Sequence, residues 1–351
     1  MKSLAAIVLL AAALPLVAQE PPRFGENVEV NAVLLDTIVT DSKGNQILGL
    51  DKNDFVVKEN RVEQPLDSVQ YLTNRQLLNA PEEKAPFQVE RTNESRYFVF
   101  FFDKPAEGQL FSEVAQARSA AREFIDHVMR PGDLVAITGH DVRLKVYSDF
   151  TSDKAKLRAA LDDSARFGRG LVTVPAGSEP SIIRTLGTSE MINNTGTVYE
   201  AIDRLADGLR AIHARKELIL FSAGILEPGD TVRNGVVISR SQYYDPMVQS
   251  LNASNVTVYA LNLLRGEAPE TPAFHQTLES MTADTNGEYY RHAINLTSVV
   301  KQIEKQNNGY YLLSFTTHHP RGTRGFQKVE VAVRNHPEMH VRARDGYTYG
   351  E

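Results

Sequence analysis

The 351-residue chain carries 38 Lys and Arg against 44 Asp and Glu, a formal net charge of -6, and no basic run; nucleic-acid binders show the opposite balance. Cysteine is absent, which excludes disulfides, thiolate zinc sites and cysteine nucleophiles. With 42% hydrophobic and 23% charged residues the composition is ordinary for a globular protein, and the length suits two domains better than one.

Lys2 precedes an apolar stretch, Leu4–Val17, with Pro15 and Ala18 in a cleavage zone. This pattern predicts a secretory signal peptide over residues 1–19. The stretch is shorter than the roughly 20 apolar residues a membrane span needs. The mature chain is therefore expected to be exported, periplasmic or extracellular, and without a transmembrane span.

Residues 26–75 alternate apolar and polar positions, as in Val28, Val30, Ala32 and Leu34. Turn clusters at Asp41–Asn45, Asp51–Asp54 and Glu59–Arg61 separate short strands, including Ile47–Leu50 and Phe55–Lys58. Regular short strands with polar turns predict part of an antiparallel sandwich. Residues 76–95, with two prolines and many charges, read as a linker.

The period changes at Arg96. Tyr97–Asp103 (YFVFFFD) is an apolar, aromatic run that predicts a strand buried on both faces. A helix pattern follows from about Gly108 to Met129. Leu134–Thr138, Leu144–Tyr147, Glu217–Phe221 and Val256–Leu261 are further strand candidates, alternating with helices such as Asp153–Asp163 and Thr197–Lys216. Residues 96–307 thus predict an α/β, doubly wound, mostly parallel sheet. Ser164–Met191, rich in Gly and Pro, reads as a long surface insertion. After Asn308-Gly309 the strand period returns in residues 308–351. Neither flanking part is large enough to fold alone. The simplest arrangement is one β-sandwich built from the N- and C-terminal segments and interrupted by the α/β domain.

Tyr97–Glu107 and Thr195–Ile202 resemble a von Willebrand factor A (VWFA-related) domain protein of the secreted bacterial type. Val33–Phe55, Leu278–Tyr290, Tyr310–Phe315 and Val341–Tyr347 are similar to other segments of that group, so the resemblance covers nearly the whole mature chain. It implies a metal-ion-dependent adhesion site, Asp-x-Ser-x-Ser followed by a Thr and a second Asp. Asp103 and Thr197 match. Pro105 and Glu107 stand at the Ser positions, and Ala223 at the second Asp. Two ligand types are lost, so Asp103, Thr197 and Glu107 are expected to form a degenerate site for Mg²⁺ or Ca²⁺, with no bound cofactor expected. The resemblance also implies a secreted, non-catalytic protein-binding module. Its partner would meet a rim at Lys104–Gly108, Asn193–Thr197 and Ala223–Gly235, with Lys104, Glu107 and Asn194 in contact.

Two other readings compete. His140-Asp141 could serve a hydrolase as a general-base pair, although no Gly-x-Ser-x-Gly elbow accompanies it. A structural envelope scaffold would use the sandwich and leave the α/β domain idle. His336-Pro-Glu-Met-His340 has zinc-helix spacing, but Pro337 opposes the helix that spacing requires.

Overall fold

The computed structural model describes residues 28–42, 44–73, 88–91, 95–105, 111–171, 180–193, 195–225, 231–233, 236–238, 240–264, 272–291, 293–320, 322–344 and 346–350. The signal-peptide segment, Glu107 and Asn194 lie outside these residues.

The chain opens with β1 (Val28–Thr40), β2 (Phe55–Glu59), β3 (Val62–Gln64), β4 (Ser68–Thr73) and β5 (Gln88–Arg91). An alternating region begins with β6 (Tyr97–Asp103), α1 (Phe111–Glu123) ending in a π-helical turn at Phe124–Val128, β7 (Leu134–His140) and β8 (Leu144–Thr151). It continues through α2 (Lys154–Ser164), α3 (Ile182–Asn193), α4 (Val198–Leu209), β9 (Lys216–Ser222), β10 (Thr231–Arg233) and β11 (Val236–Ile238). It closes with α5 (Arg240–Ala253), β12 (Val256–Asn262), α6 (Pro272–Asp284), β13 (Glu288–Tyr290) and α7 (Leu296–Gln306). The last strands are β14 (Gly309–Pro320), β15 (Gly325–Val333), β16 (His340–Ala343) and β17 (Gly346–Tyr349).

The six-stranded sheet has the order β13-β12-β9-β6-β7-β8. Its pairings are parallel except that β8 runs antiparallel to β7 at the edge. This is a doubly wound order, reversing direction between β6 and β9. The central β6 shows why an uninterrupted apolar run is needed there. Val99 and Phe101 enter one core with α3 to α6, while Phe98, Phe100 and Phe102 enter the other with α1, α2 and α7. Phe102 and Phe221 stack with ring centroids 5.2 Å apart, which locks β6 to β9 on that face.

The flanking strands form two facing sheets, β16-β1-β14-β4-β5 and β17-β15-β2-β3. Each mixes strands from both chain ends. β1 pairs with β14 from Val28↔Pro320 to Thr37↔Tyr311, and β2 pairs with β15. One core joins them: Val33, Leu35, Phe315 and Leu313 from one sheet, Phe55, Val57, Val329 and Val333 from the other. The α/β layer is therefore inserted in a sandwich made by the two ends.

Several elements differ from the sequence expectation. Ile47–Leu50 is not a strand; it is held by Tyr311, whose hydroxyl donates to the Ile47 carbonyl and accepts from Leu50 N. The 76–95 linker contains β5, paired parallel to β4. The Ser164–Met191 stretch is not wholly a surface insertion. It includes α3, whose Ile182, Ile183 and Leu186 are buried in the core. Asp149, at the end of β8, accepts from Ser181 Oγ at 2.6 Å and Ile182 N at 3.0 Å and so caps α3 from another element. His336 lies in a turn beside Glu338, and His340 opens a strand, so no zinc helix forms.

The amino ends of the parallel strands, where the sandwich meets the α/β layer, are rich in polar groups, some internal to the layer and some crossing to the sandwich. Arg96 holds Asp133 by two bonds of 2.8 and 2.6 Å and Glu304 by one of 2.8 Å. Arg130 binds the same Glu304, and Asn308 Oδ1 at 2.7 Å. Beside them, Asp36 of β1 accepts from Asn255 at 3.1 Å and lies 3.8 Å from Arg344. Arg342 of β16 donates to the Tyr259 hydroxyl at 3.2 Å. Lys216, which opens β9, is fully buried and donates to the carbonyls of Ile212 and Ala214. Buried ionic groups of this kind contribute little net stability but penalise any other arrangement. Among the described residues, no helix is long and apolar enough to cross a membrane.

Candidate functional site

With the amino ends covered, the carboxyl ends of the strands form the open face. In doubly wound sheets the crevice lies there, between the strands where the order reverses. Here those strands are β6 and β9. Their register pairs Phe102 with Phe221, so the next residues, Asp103 and Ser222, stand side by side. Ser222 Oγ donates to Asp103 Oδ2 at 2.8 Å. Gly224 N donates to Ser222 Oγ at 3.2 Å, which fixes the hydroxyl.

On the other side of β6, His140 ends β7 with its Nδ1 3.7 Å from Asp103 Oδ1. Its Nε2 lies 3.2 Å from the Thr195 carbonyl. A carbonyl only accepts, so that nitrogen carries the proton of the bond. The fully buried Thr195 also accepts from Leu144 N through Oγ1 at 2.9 Å, which ties the loop before α4 to the β7–β8 turn. Asp103 is mostly buried, with 13% of its side chain exposed.

Thr197 is placed differently from its expected role. It is the N-cap of α4 in a reciprocal capping box with Glu200. Its Oγ1 accepts from Glu200 N at 3.2 Å and donates to Glu200 Oε2 at 2.9 Å. The hydroxyl is thereby turned into its own helix. The predicted His140-Asp141 pair does not form either. Asp141 accepts from Lys145 Nζ at 2.7 Å and Val142 N at 2.7 Å, while His140 faces Asp103. In a serine-based triad the imidazole stands between hydroxyl and carboxylate. Here the carboxylate stands between, so the Ser222 hydroxyl meets Asp103 and not the imidazole.

A divalent cation in the expected manner would need oxygen ligands converging on Asp103. Pro105 offers no side-chain oxygen, Asp103 Oδ2 is engaged by Ser222, and Thr197 Oγ1 by Glu200. Among the described residues, no group of three His, Cys, Asp or Glu could hold a metal ion. Glu107, the remaining expected ligand, lies outside the described residues. Ser222 was missed because the resemblance placed Ala223 at the last ligand position. The signal for it was the register: ELILFS ends one residue beyond the stretch aligned with YFVFFF.

Lys104 stands on the exposed rim with its ammonium 5.8 Å above the Phe167 ring. Lys104 N also donates to the His140 carbonyl at 2.9 Å, which extends the β6–β7 pairing by one residue.

No family model and no curated protein sequence matches the chain. Among solved structures it is similar to an aerotolerance-related membrane protein from Bacteroides fragilis, at 12% identity over 60% of this chain and 98% of that one, with a TM-score of 0.40. It is similar to the conserved hypothetical protein BatB from Bacteroides thetaiotaomicron, at 11% identity over 60% and 98%, TM-score 0.39. The vWF domain of the type V pili tip protein Mfa5 from Porphyromonas gingivalis matches at 12% identity over 61% and 95%, TM-score 0.41. The solved structures to which the chain is similar thus include a von Willebrand factor domain, the family its sequence resembles.

Proposed function

We propose that this chain is an exported, non-catalytic protein-binding module whose partner meets the carboxyl-end face of the α/β layer. The observation that carries the reading is the asymmetry of that layer. Its amino ends are covered by the sandwich, where Asp36 accepts from Asn255 and Arg342 donates to Tyr259. Its carboxyl ends present Asp103, Lys104 and the 68% exposed Val142. Immobilised mature chain should capture a partner from the exported fraction of the source cells. A Lys104→Glu, Val142→Glu variant should lose that partner with an unchanged melting temperature. Undiminished capture would move the interface to the sandwich and end this reading. Substrate turnover abolished by His140→Ala would end the non-catalytic part of it.

The site is degenerate in this proposal and works without Mg²⁺ or Ca²⁺. Ligand positions carry Pro105 and Ala223, and the remaining oxygens are already engaged. Thermal melts in EDTA and in millimolar Mg²⁺ should coincide. A rise of several degrees with Mg²⁺, lost in Asp103→Ala, would refute it, because a ligand that binds only the folded state raises its stability.

A further inference from the structure

The chain is acidic as a whole and has no basic run, yet the fold gathers cations at one corner of the open face. The loop after α2 folds back on the β7–β8 turn. Lys145 Nζ anchors it by donating to the Phe167 carbonyl at 2.6 Å and to Asp141 at 2.7 Å. Leu171 N donates to the Val146 carbonyl at 2.6 Å. Gly170, at φ +71°, sits where an added Cβ would lie 3.0 Å from that carbonyl. The fold-back brings the loop that carries Arg166 and Arg169 against the start of β8, next to the turn that carries Arg143, and sets Phe167 under Lys104. All four cations are exposed. Among the described residues, the side chains of Arg143, Arg166 and Arg169 make no ion pair and no hydrogen bond, and Lys104 rests over Phe167.

Among the described residues, Asp141 is the acid that acts on Lys104, and its carboxylate is shared with Lys145. Asp103 lies mostly buried between Ser222 and His140. Asp162 and Asp163 are exposed carboxylates at the end of α2, and Asp162 pairs with Arg122. An apolar element lies among the cations: half-buried Phe167, and Val142 at 68% exposure. Guanidinium groups match carboxylates in geometry and bind them by two parallel bonds. Complementary charge across an interface selects partners and speeds encounter.

We propose that Lys104, Arg143, Arg166 and Arg169, arranged around Phe167, bind an acidic, extended protein segment, with its carboxylates on the cations and an apolar side chain on Phe167 and Val142. The inference rests on the reading of this face as the partner-binding one and adds the partner's chemistry. A duplex nucleic acid fits less well: its evenly spaced phosphates would approach Asp163 and Asp141 and leave the apolar element unused.

The test is fluorescence anisotropy of the full mature chain with a labelled Glu-Asp-Phe-Glu-Asp peptide, at low and at raised salt. Saturable binding that weakens with salt is expected. The triple variant Arg143→Glu, Arg166→Glu, Arg169→Glu should weaken it at least about tenfold, since charged pairs are lost and repulsion replaces them. The same charge change on exposed sandwich residues, Lys52→Glu, Lys58→Glu, Lys328→Glu, should leave it within about twofold. Equal losses in both triples would overturn the proposal, as that is attraction by net charge alone. So would absence of saturable binding, or tighter binding of a DNA duplex lost in the same corner variant. If the peptide fails while Lys104→Glu, Val142→Glu still abolishes partner capture, the acidic-segment inference falls and the binding-face reading stands.

Discussion

Replacing Arg96 with methionine should destabilise the protein by about 3–5 kcal/mol, the cost of leaving a buried ion partner uncompensated. The side chain joins three elements. It binds Asp133, 2% exposed, at the start of β7, Glu304 on α7, and Asn308 at the entry to β14. Its guanidinium also covers the Phe98 ring at 5.1 Å. Burial works against its charge, yet Asp133 and Glu304 more than offset this and hold its pKa above the ordinary value. Methionine keeps the stem and removes the charge, which strands Asp133. The urea midpoint, followed by circular dichroism, should fall accordingly. Adding Asp133→Asn should recover part of the loss, because the two side chains are coupled. A single variant within about 0.5 kcal/mol of the parent would show that the stability of the α/β layer does not depend on this pair.

Lys216 should give the domain junction a pH dependence. Its ammonium is pushed from 10.5 down to about 7, first by burial and then by Arg344, against the opposing pull of Glu217 and Asp36. Two donated bonds to the Ile212 and Ala214 carbonyls suit a neutral amine, which has two N–H groups. Between about 7 and 10.5 the unfolded chain binds a proton that the folded chain does not. Stability therefore rises with pH across that window, by at most about 1.4 kcal/mol per unit, and the contribution is smallest below pH 7. Urea midpoints measured from pH 7 to 9 should rise for the parent relative to Lys216→Met. A difference that stays flat over this range would mean that Lys216 is charged in the folded protein.

The sequence made the α/β layer readable because its strands are buried on both faces. Tyr97–Asp103 could hardly be anything else, and the helix expected over Thr197–Lys216 forms as Val198–Leu209 with Thr197 as its cap. What stayed hidden depends on partners distant in sequence. Helix α3 lies between Gly and Pro residues that read as a loop, and Asp149 on a separate strand caps it. Ile47–Leu50 has strand-like composition, but the Tyr311 hydroxyl takes its backbone groups. His140 was read with its chain neighbour Asp141, whereas the parallel register sets it opposite Asp103. Ser222 reaches Asp103 across 119 residues. The cations of the open corner are scattered over three loops, so no local charge count could reveal them.

The contact between Arg96 and Asn308 also orders events in time. These residues lie 212 positions apart and come within 3.4 Å at the point where the chain enters and leaves the α/β layer. Until that layer closes, β1 and β14 are the ends of a very long loop, and joining them carries the full entropic cost of closing it. Once it has closed, the cost has already been met, and the strands need only zip from neighbouring starts. Non-local strand pairing is slow in any case. The sandwich should therefore form last, as a late phase whose rate depends on the inserted layer having folded first. Until then β1 waits with its edge unpaired, the stage at which such chains aggregate most readily.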